Sequence, residues 1–412
     1  MSDVRVIKAA LLGAGTVGSG VYDILQWQKD EMPKKLGAVV ELKKILVRNT
    51  KKAREGMDSS LFTDNWKEIL DDPEIEIVIE VMGGIEPAKT YITEALHAGK
   101  HVVTANKDLL AEHGKEVLDA AEEHGCDLMF EAAVAGGIPI IRPLQTCLTA
   151  DEIVEISGIL NGTTNYILTN MTYGGASFDD ALKDAQDKGY AERNPEADVE
   201  GHDACRKIAI LTSLVSGQRV DFEDIYTEGI TKVTAEDIKY ADKLGRVIKL
   251  LAMSKKEADG KYYAMVAPFL IDAVNPLYSV NGVFNAIFVE GNMLGDSMFY
   301  GSGAGKLPTA SAVAADVVDA CKNLNENLGF YWSDEKLVLG DTRDDKRRFL
   351  VRVKGDAQAD KAAMEALFGP VEFVDADLAG EFGFVTVSLS EAEYAERAAK
   401  SDKILNRIRV EG

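Results

Sequence analysis

The segment running from Gly189 to Lys207 has the residue types that proton chemistry needs. It carries Glu192, Asp198, Asp203 and Lys207 within one short stretch. Asp203 and Lys207 are spaced i,i+4, so on a helix they share a face one turn apart. An enzyme that reduces a carbonyl by hydride transfer needs a proton donor at the developing alkoxide. A lysine with its charge desolvated can serve near neutral pH. Acids beside it could bind a substrate ammonium. The plainer reading of the same spacing is a surface ion pair. Against it, Leu211, Leu214 and Val215 continue an apolar helix, so this face is not expected to be fully exposed.

The second chemical signal is Gly13-Ala14-Gly15-Thr16-Val17-Gly18. An apolar run, Val4–Leu12, reads as a buried strand before it, and Val17–Gln26 reads as a helix after it. This is the setting of a dinucleotide-binding turn. Gly13 permits the tight turn, Gly15 leaves room for a pyrophosphate, and Gly18 lets the helix pack close to the strand. The free N–H groups of the helix N-terminus suit the phosphates. Arg48 ends the second strand-like run, with Lys51, Lys52 and Arg54 close behind and no acid at the strand end. An acid there would hold a ribose 2′-hydroxyl, whereas a basic group suits a 2′-phosphate. NADP is therefore expected, with NAD still usable; the bland alternative is a solvated basic loop.

Other polar clusters sit at strand ends. His101–Thr104 reads as a strand, and Ala105-Asn106-Lys107 follows it, where Lys107 could reach a ligand or merely begin a helix. Glu131 to Pro139 reads as strand, then turn. Its carbonyls could face a hard cation, although a strand-to-helix connection explains it as well. Asn161-Gly162-Thr163-Thr164-Asn165 follows an apolar strand and could cap a helix or line a polar pocket. None of the five histidines has metal-ligand spacing.

The elements that must position these groups alternate at first. Strand-like runs at Val4–Leu12, Val39–Val47, Ile75–Val81, His101–Thr104 and Asp127–Glu131 are separated by helix-like segments. This implies right-handed βαβ units and a Rossmann-like, doubly wound parallel sheet. A mixed α+β region follows, with strands at Ile153–Leu160 and Tyr262–Leu270 and helices at Phe178–Asp187, Asp203–Val215 and Thr234–Met253. Gly301 to Gly305 precedes a small-residue helix, Thr309–Asn323. A charged break near Asp341–Lys346 reads as a hinge. Beyond it a βαββαβ pattern fills about 65 residues and reads as a module that can fold on its own. The expected domains are 1–135 for the dinucleotide, with 306–340 packing back on it, 136–305 for substrate and dimerisation, and 347–412.

The 412 residues are 46% hydrophobic and 28% charged, an ordinary globular composition. The net charge of −22 disfavours nucleic acid and anionic membranes as partners. Four scattered cysteines, with no Cys-x-x-Cys pair, fit a reducing compartment without disulfides or zinc. No signal peptide or bilayer-length apolar run is seen, so a cytoplasmic protein is expected.

Together these motifs resemble homoserine dehydrogenases over nearly the whole chain. The matching segments are Gly13 to Gly18, Thr104 to Lys107, Glu131 to Pro139, Asn161 to Asn165, Gly189 to Glu192, Asp203 to Lys207, Gly303 to Gly305 and Pro308 to Ala312. The resemblance implies NAD(P)-dependent interconversion of L-aspartate 4-semialdehyde and L-homoserine, a step towards threonine, methionine and isoleucine. It assigns proton transfer to Lys207. Glu192 and Asp203 bind substrate, with Gly189 and Asp198 in support, and Lys107 sits between cofactor and substrate. Gly13, Gly15, Thr16, Val17, Gly18, Arg48, Lys52, Thr104 and Gly305 fall to the cofactor. Glu131, Val134, Gly136 and Ile138 would surround a sodium ion, partly through main-chain carbonyls. The final module resembles an ACT domain, for which threonine is the expected effector. A homodimer, or a dimer of dimers, is implied as well. One departure is Arg193-Asn194, where the family often has Ala-Asp. No kinase region precedes the dinucleotide fold, so a fused aspartate kinase is not expected. The competing class is a regulator that senses a dinucleotide and an amino acid while catalysing nothing. Glu192, Asp203 and Lys207 argue against it, since a sensor needs no proton donor.

Overall fold

The structure, a computed structural model, describes residues 5–324, 329 and 331–411. Val4, expected to open the first strand, lies outside the described residues. The chain divides into two compact units. The first comprises Met1–Glu152, Ala209–Phe222 and Gly301–Leu337, and the second Ile153–Ile208, Glu223–Tyr300 and Val338–Gly412.

The first unit is built on a six-stranded sheet. Its order is Phe62–Thr63, Ala38–Leu46, Arg5–Leu12, Ile75–Glu80, His101–Thr104 and Leu128–Met129. Every pairing is parallel. The chain starts in the middle and winds outwards both ways, the doubly wound order of dinucleotide-binding folds. Its inner strands are near-continuous apolar runs because helices cover both faces. Helix Lys306–Lys322 lies against helix Thr16–Trp27. The two backbones come so close that a Cβ on Gly20 would stand 2.7 Å from the Lys306 carbonyl oxygen. The strand expected over Asp127–Glu131 shortens to Leu128–Met129, and Glu131–Ala133 coils into a 3₁₀ turn. The cause is the Glu131 carboxylate. It accepts from the main-chain N–H groups of Ile140, Ile141 and Arg142 at 2.6, 2.9 and 2.8 Å, which a continuing strand could not reach.

The second unit is a long mixed sheet. Its order is Gly295–Ser302, Phe284–Gly291, Ile153–Ile159, Arg246–Lys256, Tyr262–Asp272, Ile404–Val410, Lys346–Lys354, Glu381–Val385 and Glu372–Val374. The helix expected over Thr234–Met253 is a correction. Thr234 and Asp237 form a capping box for helix Ala235–Lys243. Gly245, with φ of +66°, then breaks it, and Arg246–Lys256 runs on as a strand. Val247–Met253 is buried throughout. A largely apolar run of this kind, interrupted by Lys249, does not distinguish a buried helix from a buried strand. Strands Phe284–Gly291 and Gly295–Ser302 were not anticipated.

The C-terminal βαββαβ order is present, and a core of Phe349, Val351, Phe368, Phe382, Phe384 and Tyr394 fills it. It does not stand apart as expected. Strand Ile404–Val410 pairs in parallel with Tyr262–Asp272, at Phe269–Arg409 and Leu270–Val410. The expected hinge is a 3₁₀ turn, Thr342–Asp344, capped by Asp341. Arg347 pins the chain beyond it to Asp345 at 2.7 Å and to Glu411 at 2.5 Å.

Candidate active site

In the first unit the glycine turn has the geometry its sequence implies. Gly13 adopts φ of +103°, and its N–H donates to the Leu46 carbonyl at 3.1 Å. A Cβ on Gly18 would stand 2.1 Å from the Gly13 carbonyl oxygen, so only glycine fits there. A Cβ on Gly15 would meet nothing within 4 Å. Gly15, at the N-cap of helix Thr16–Trp27, therefore faces open space where a phosphate could approach the exposed Thr16 N-terminus. Gly305 caps helix Lys306–Lys322, which the contact at Gly20 holds against this one. Arg48 and Lys52 are exposed just beyond strand Ala38–Leu46. Arg54 donates to the Asn49 and Lys52 carbonyls and so shapes that loop.

Thr104 is buried, and its hydroxyl is committed. It donates to Glu80 at 2.6 Å and accepts from Asn106 N–H at 3.1 Å. Glu80, which the sequence reading passed over, also accepts from Met82 N–H at 2.6 Å. It thereby ties together two loops at the carboxyl ends of neighbouring strands. The available signal was an acid ending an apolar strand. Asn106 caps the next helix, and Lys107 opens it with its ammonium 3.7 Å from Asp108.

The second unit brings together most of the acid–lysine group. Asn161, the N-cap of helix Gly162–Gly174, accepts from Thr164 N–H at 2.8 Å. Its side-chain nitrogen donates to Asp198 at 2.7 Å and to Asp203 at 2.9 Å. Asp203 also takes the Lys207 ammonium at 2.6 Å, and Lys207 donates to the Leu160 carbonyl at 2.8 Å. Thus Asn161 caps a helix and also holds two carboxylates. The Asp203 and Lys207 side chains are only 10% and 12% exposed, which excludes a solvated surface pair. Removing one member of such a pair costs about 3–5 kcal/mol, because its partner stays buried and charged. Thr163 donates to the Tyr190 carbonyl at 2.8 Å and anchors the turn after Gly189, whose φ is +75°. Glu192 is exposed. Its carbonyl accepts from Gln186, and among the described residues its carboxylate joins no ion pair with this cluster.

Two family models match, "Homoserine dehydrogenase" over residues 139–318 and "Homoserine dehydrogenase, NAD binding domain" over residues 13–131. The homoserine dehydrogenase of Bacillus subtilis is 45% identical over 322 residues, 78% of this chain and 74% of its own length. The chain belongs to the homoserine dehydrogenase family. Among solved structures, a homoserine dehydrogenase from Thiobacillus denitrificans superposes with a TM-score of 0.90 at 36% identity, covering 99% of this chain and 98% of that one. A hyperthermophilic archaeal homoserine dehydrogenase in complex with NADPH superposes with a TM-score of 0.65 at 28% identity, over 77% of this chain and 98% of its own.

This homoserine dehydrogenase is an NAD(P)-dependent oxidoreductase acting on a small-molecule substrate. The reading as an idle sensor is set aside. No helix among the described residues is long and apolar enough to cross a membrane.

Proposed function

We propose that this homoserine dehydrogenase prefers NADP and that Lys207 moves the proton at the substrate oxygen. When bound, the nicotinamide ring accepts or returns the hydride. In homoserine oxidation Lys207 takes the hydroxyl proton; in reduction it gives the proton back to the developing alkoxide. Asp203 orients Lys207, and Asp198 and Asp203 attract the substrate ammonium. Glu192, exposed after the turn at Gly189, would join as a third acid. Lys107, which opens the helix after strand His101–Thr104, would assist the same reaction. The observation that carries this reading is the buried cluster in which Asn161 fixes both acids and Asp203 fixes the lysine.

The NADP preference rests on exposed Arg48 and Lys52 at a strand end that carries no acid. The archaeal relative solved with NADPH is consistent with it. Gly13, Gly15, Thr16, Val17, Gly18 and Gly305 would hold the dinucleotide. Thr104 would act from behind, through Glu80 and Asn106.

A sodium ion would rest on the main-chain carbonyls of Glu131, Val134, Gly136 and Ile138. The Glu131 carboxylate is taken up by three main-chain N–H groups, so the side chain contributes little to it. Gly136, at φ of +55°, approaches the Gly303 carbonyl so closely that only glycine fits. The C-terminal module would be an ACT-like regulatory domain of a cytoplasmic homodimer, with threonine as effector.

The direct test is a spectrophotometric assay of homoserine oxidation with NADP and with NAD. Turnover with NADP at a clearly lower KM supports the reading, whereas equal KM values remove the cofactor preference. Inhibition of the intact enzyme by threonine tests the regulatory part.

A further inference from the structure

The C-terminal strand and the acid pair meet through one short loop. We propose that Arg409 and Glu228 are positioning residues for the substrate-binding acids, so that the last strand of the chain sets the geometry of Asp198 and Asp203. This rests on the reading of those two acids as substrate ligands.

Strand Tyr262–Asp272 carries two short neighbours along one edge. Tyr226–Thr227 pairs with it in parallel at Met265 and Val266, and Ile404–Val410 pairs with it at Phe269 and Leu270. Glu228, next after the first neighbour, anchors its own N–H on the Val266 carbonyl at 2.7 Å. Its carboxylate meets Arg409 at 2.8 Å and Arg407 at 3.1 Å, both from the last strand. The Arg409 side chain is wholly buried, stacks over the Tyr226 ring at 5.0 Å, and pairs with Glu391 at 2.5 Å. A buried guanidinium cannot drift towards water, so it fixes the carboxylate it binds.

The other side of the loop touches the site. Ile230 N–H donates to the Val199 carbonyl at 2.8 Å. A Cβ on Gly229 would stand 2.1 Å from that same carbonyl oxygen and 2.4 Å from the Glu200 Cα. Gly201, with φ of +84°, has Thr227 and Val266 at 3.1 and 3.2 Å from the place of its Cβ. The segment so clamped, Val199 to Gly201, lies between Asp198 and Asp203. Gly201 accepts from Cys205 N–H at 2.9 Å and so begins the helix that carries Lys207. Moving Glu228 moves the floor on which both acids stand.

The test uses the full chain and measures kcat, homoserine KM and NADP KM. The variants are Glu228→Gln, Arg409→Met, Arg409→Lys and Gly229→Ala. Misplacing a site from a distance can cost up to about 100-fold. We expect Glu228→Gln, Arg409→Met and Gly229→Ala each to raise homoserine KM several-fold or more while NADP KM stays put. Arg409→Lys should recover part of the loss. If Arg409→Met does not fold, Glu228→Gln, which is nearly isosteric, carries the test. A merely structural role would lower active enzyme and kcat without changing homoserine KM, and that result overturns the proposal. So does a homoserine KM that rises for Gly229→Ala but not for Glu228→Gln. Asp203→Asn is run beside them. If it leaves homoserine KM unchanged, the assignment of the acids fails instead.

Discussion

Asp203 receives the Lys207 ammonium at 2.6 Å on the same carboxylate oxygen that receives the Asn161 amide at 2.9 Å. A single oxygen thus orients the proposed proton carrier and is itself held by a helix cap. Replacing Lys207 by Ala should lower kcat by about 100-fold or more, the scale of a lost general acid–base group. Cofactor binding, read by the fluorescence of bound NADPH, should hardly change. A variant with wild-type turnover would end the assignment.

Asn161 allows its two tasks to be separated. Asn161→Asp keeps a cap acceptor for Thr164 but sets a third carboxylate against Asp198 and Asp203. Asn161→Ala removes the cap too, at about 1 kcal/mol. Homoserine KM should rise in both, by about tenfold if one oriented hydrogen bond is worth about 1.4 kcal/mol. Thermal stability, followed by circular dichroism, should drop in both, and further in Asn161→Asp, because a third largely buried carboxylate costs more than the cap. Unchanged homoserine KM in both variants would leave Asn161 as a cap alone.

Some of this site is legible in the residues because its geometry is local. The Gly13 to Gly18 turn is set by three glycines within one strand-to-helix corner. The Asp203–Lys207 contact follows from helical spacing. Glu80 and Thr104 are not legible in this way. They meet only because parallel strands bring Ile75–Glu80 beside His101–Thr104. Glu228 and Arg409, 181 residues apart, meet only because both flank strand Tyr262–Asp272. The same strand explains why the C-terminal module looked separable: its composition is self-sufficient, and its edge pairing leaves no mark in the sequence. Lys249 was hidden for another reason. It interrupts an apolar run that reads as helix, and only as a strand residue does it reach Asn165 and Asn281.

Arg48→Ala should raise KM for NADP much more than for NAD, because only NADP carries the 2′-phosphate. Steady-state kinetics with both cofactors measures this directly. Equal responses would return Arg48 to a solvated loop.

Lys249 gives a pH signature. Burial pushes its amine down from 10.5 to about 7, although Asn165, Val280 and Asn281 all offer it oxygen acceptors. Below about pH 7 the group is protonated in both the folded and unfolded chains. Between about 7 and 10.5 the unfolded chain binds a proton that the folded one lacks, so this residue makes stability rise with pH across that window. Lys249→Met should flatten the rise. Urea unfolding at pH 7 and pH 9 reads it, and an unchanged slope would mean that the amine stays charged when folded.

Truncation at Gly340 tests whether the C-terminal module is separable. The cut removes strand Ile404–Val410 and so bares the Phe269–Leu270 edge of a long central strand. Exposed edges of this kind invite aggregation. It also strips Glu228 of Arg407 and Arg409, the two arginines that hold its carboxylate. Lys346–Lys354 and its core lose nothing by their own departure, so the damage falls on the catalytic unit. The shortened chain should be poorly soluble, or should unfold many degrees below the full enzyme. Scanning calorimetry and size-exclusion chromatography check this. A monodisperse truncated enzyme with the full chain's melting temperature would show the edge pairing to be dispensable. Threonine response could then be sought in the module alone. With the expected loss, regulation has to be tested by point substitution in the intact chain, because truncation would confound a lost effector site with a lost sheet edge.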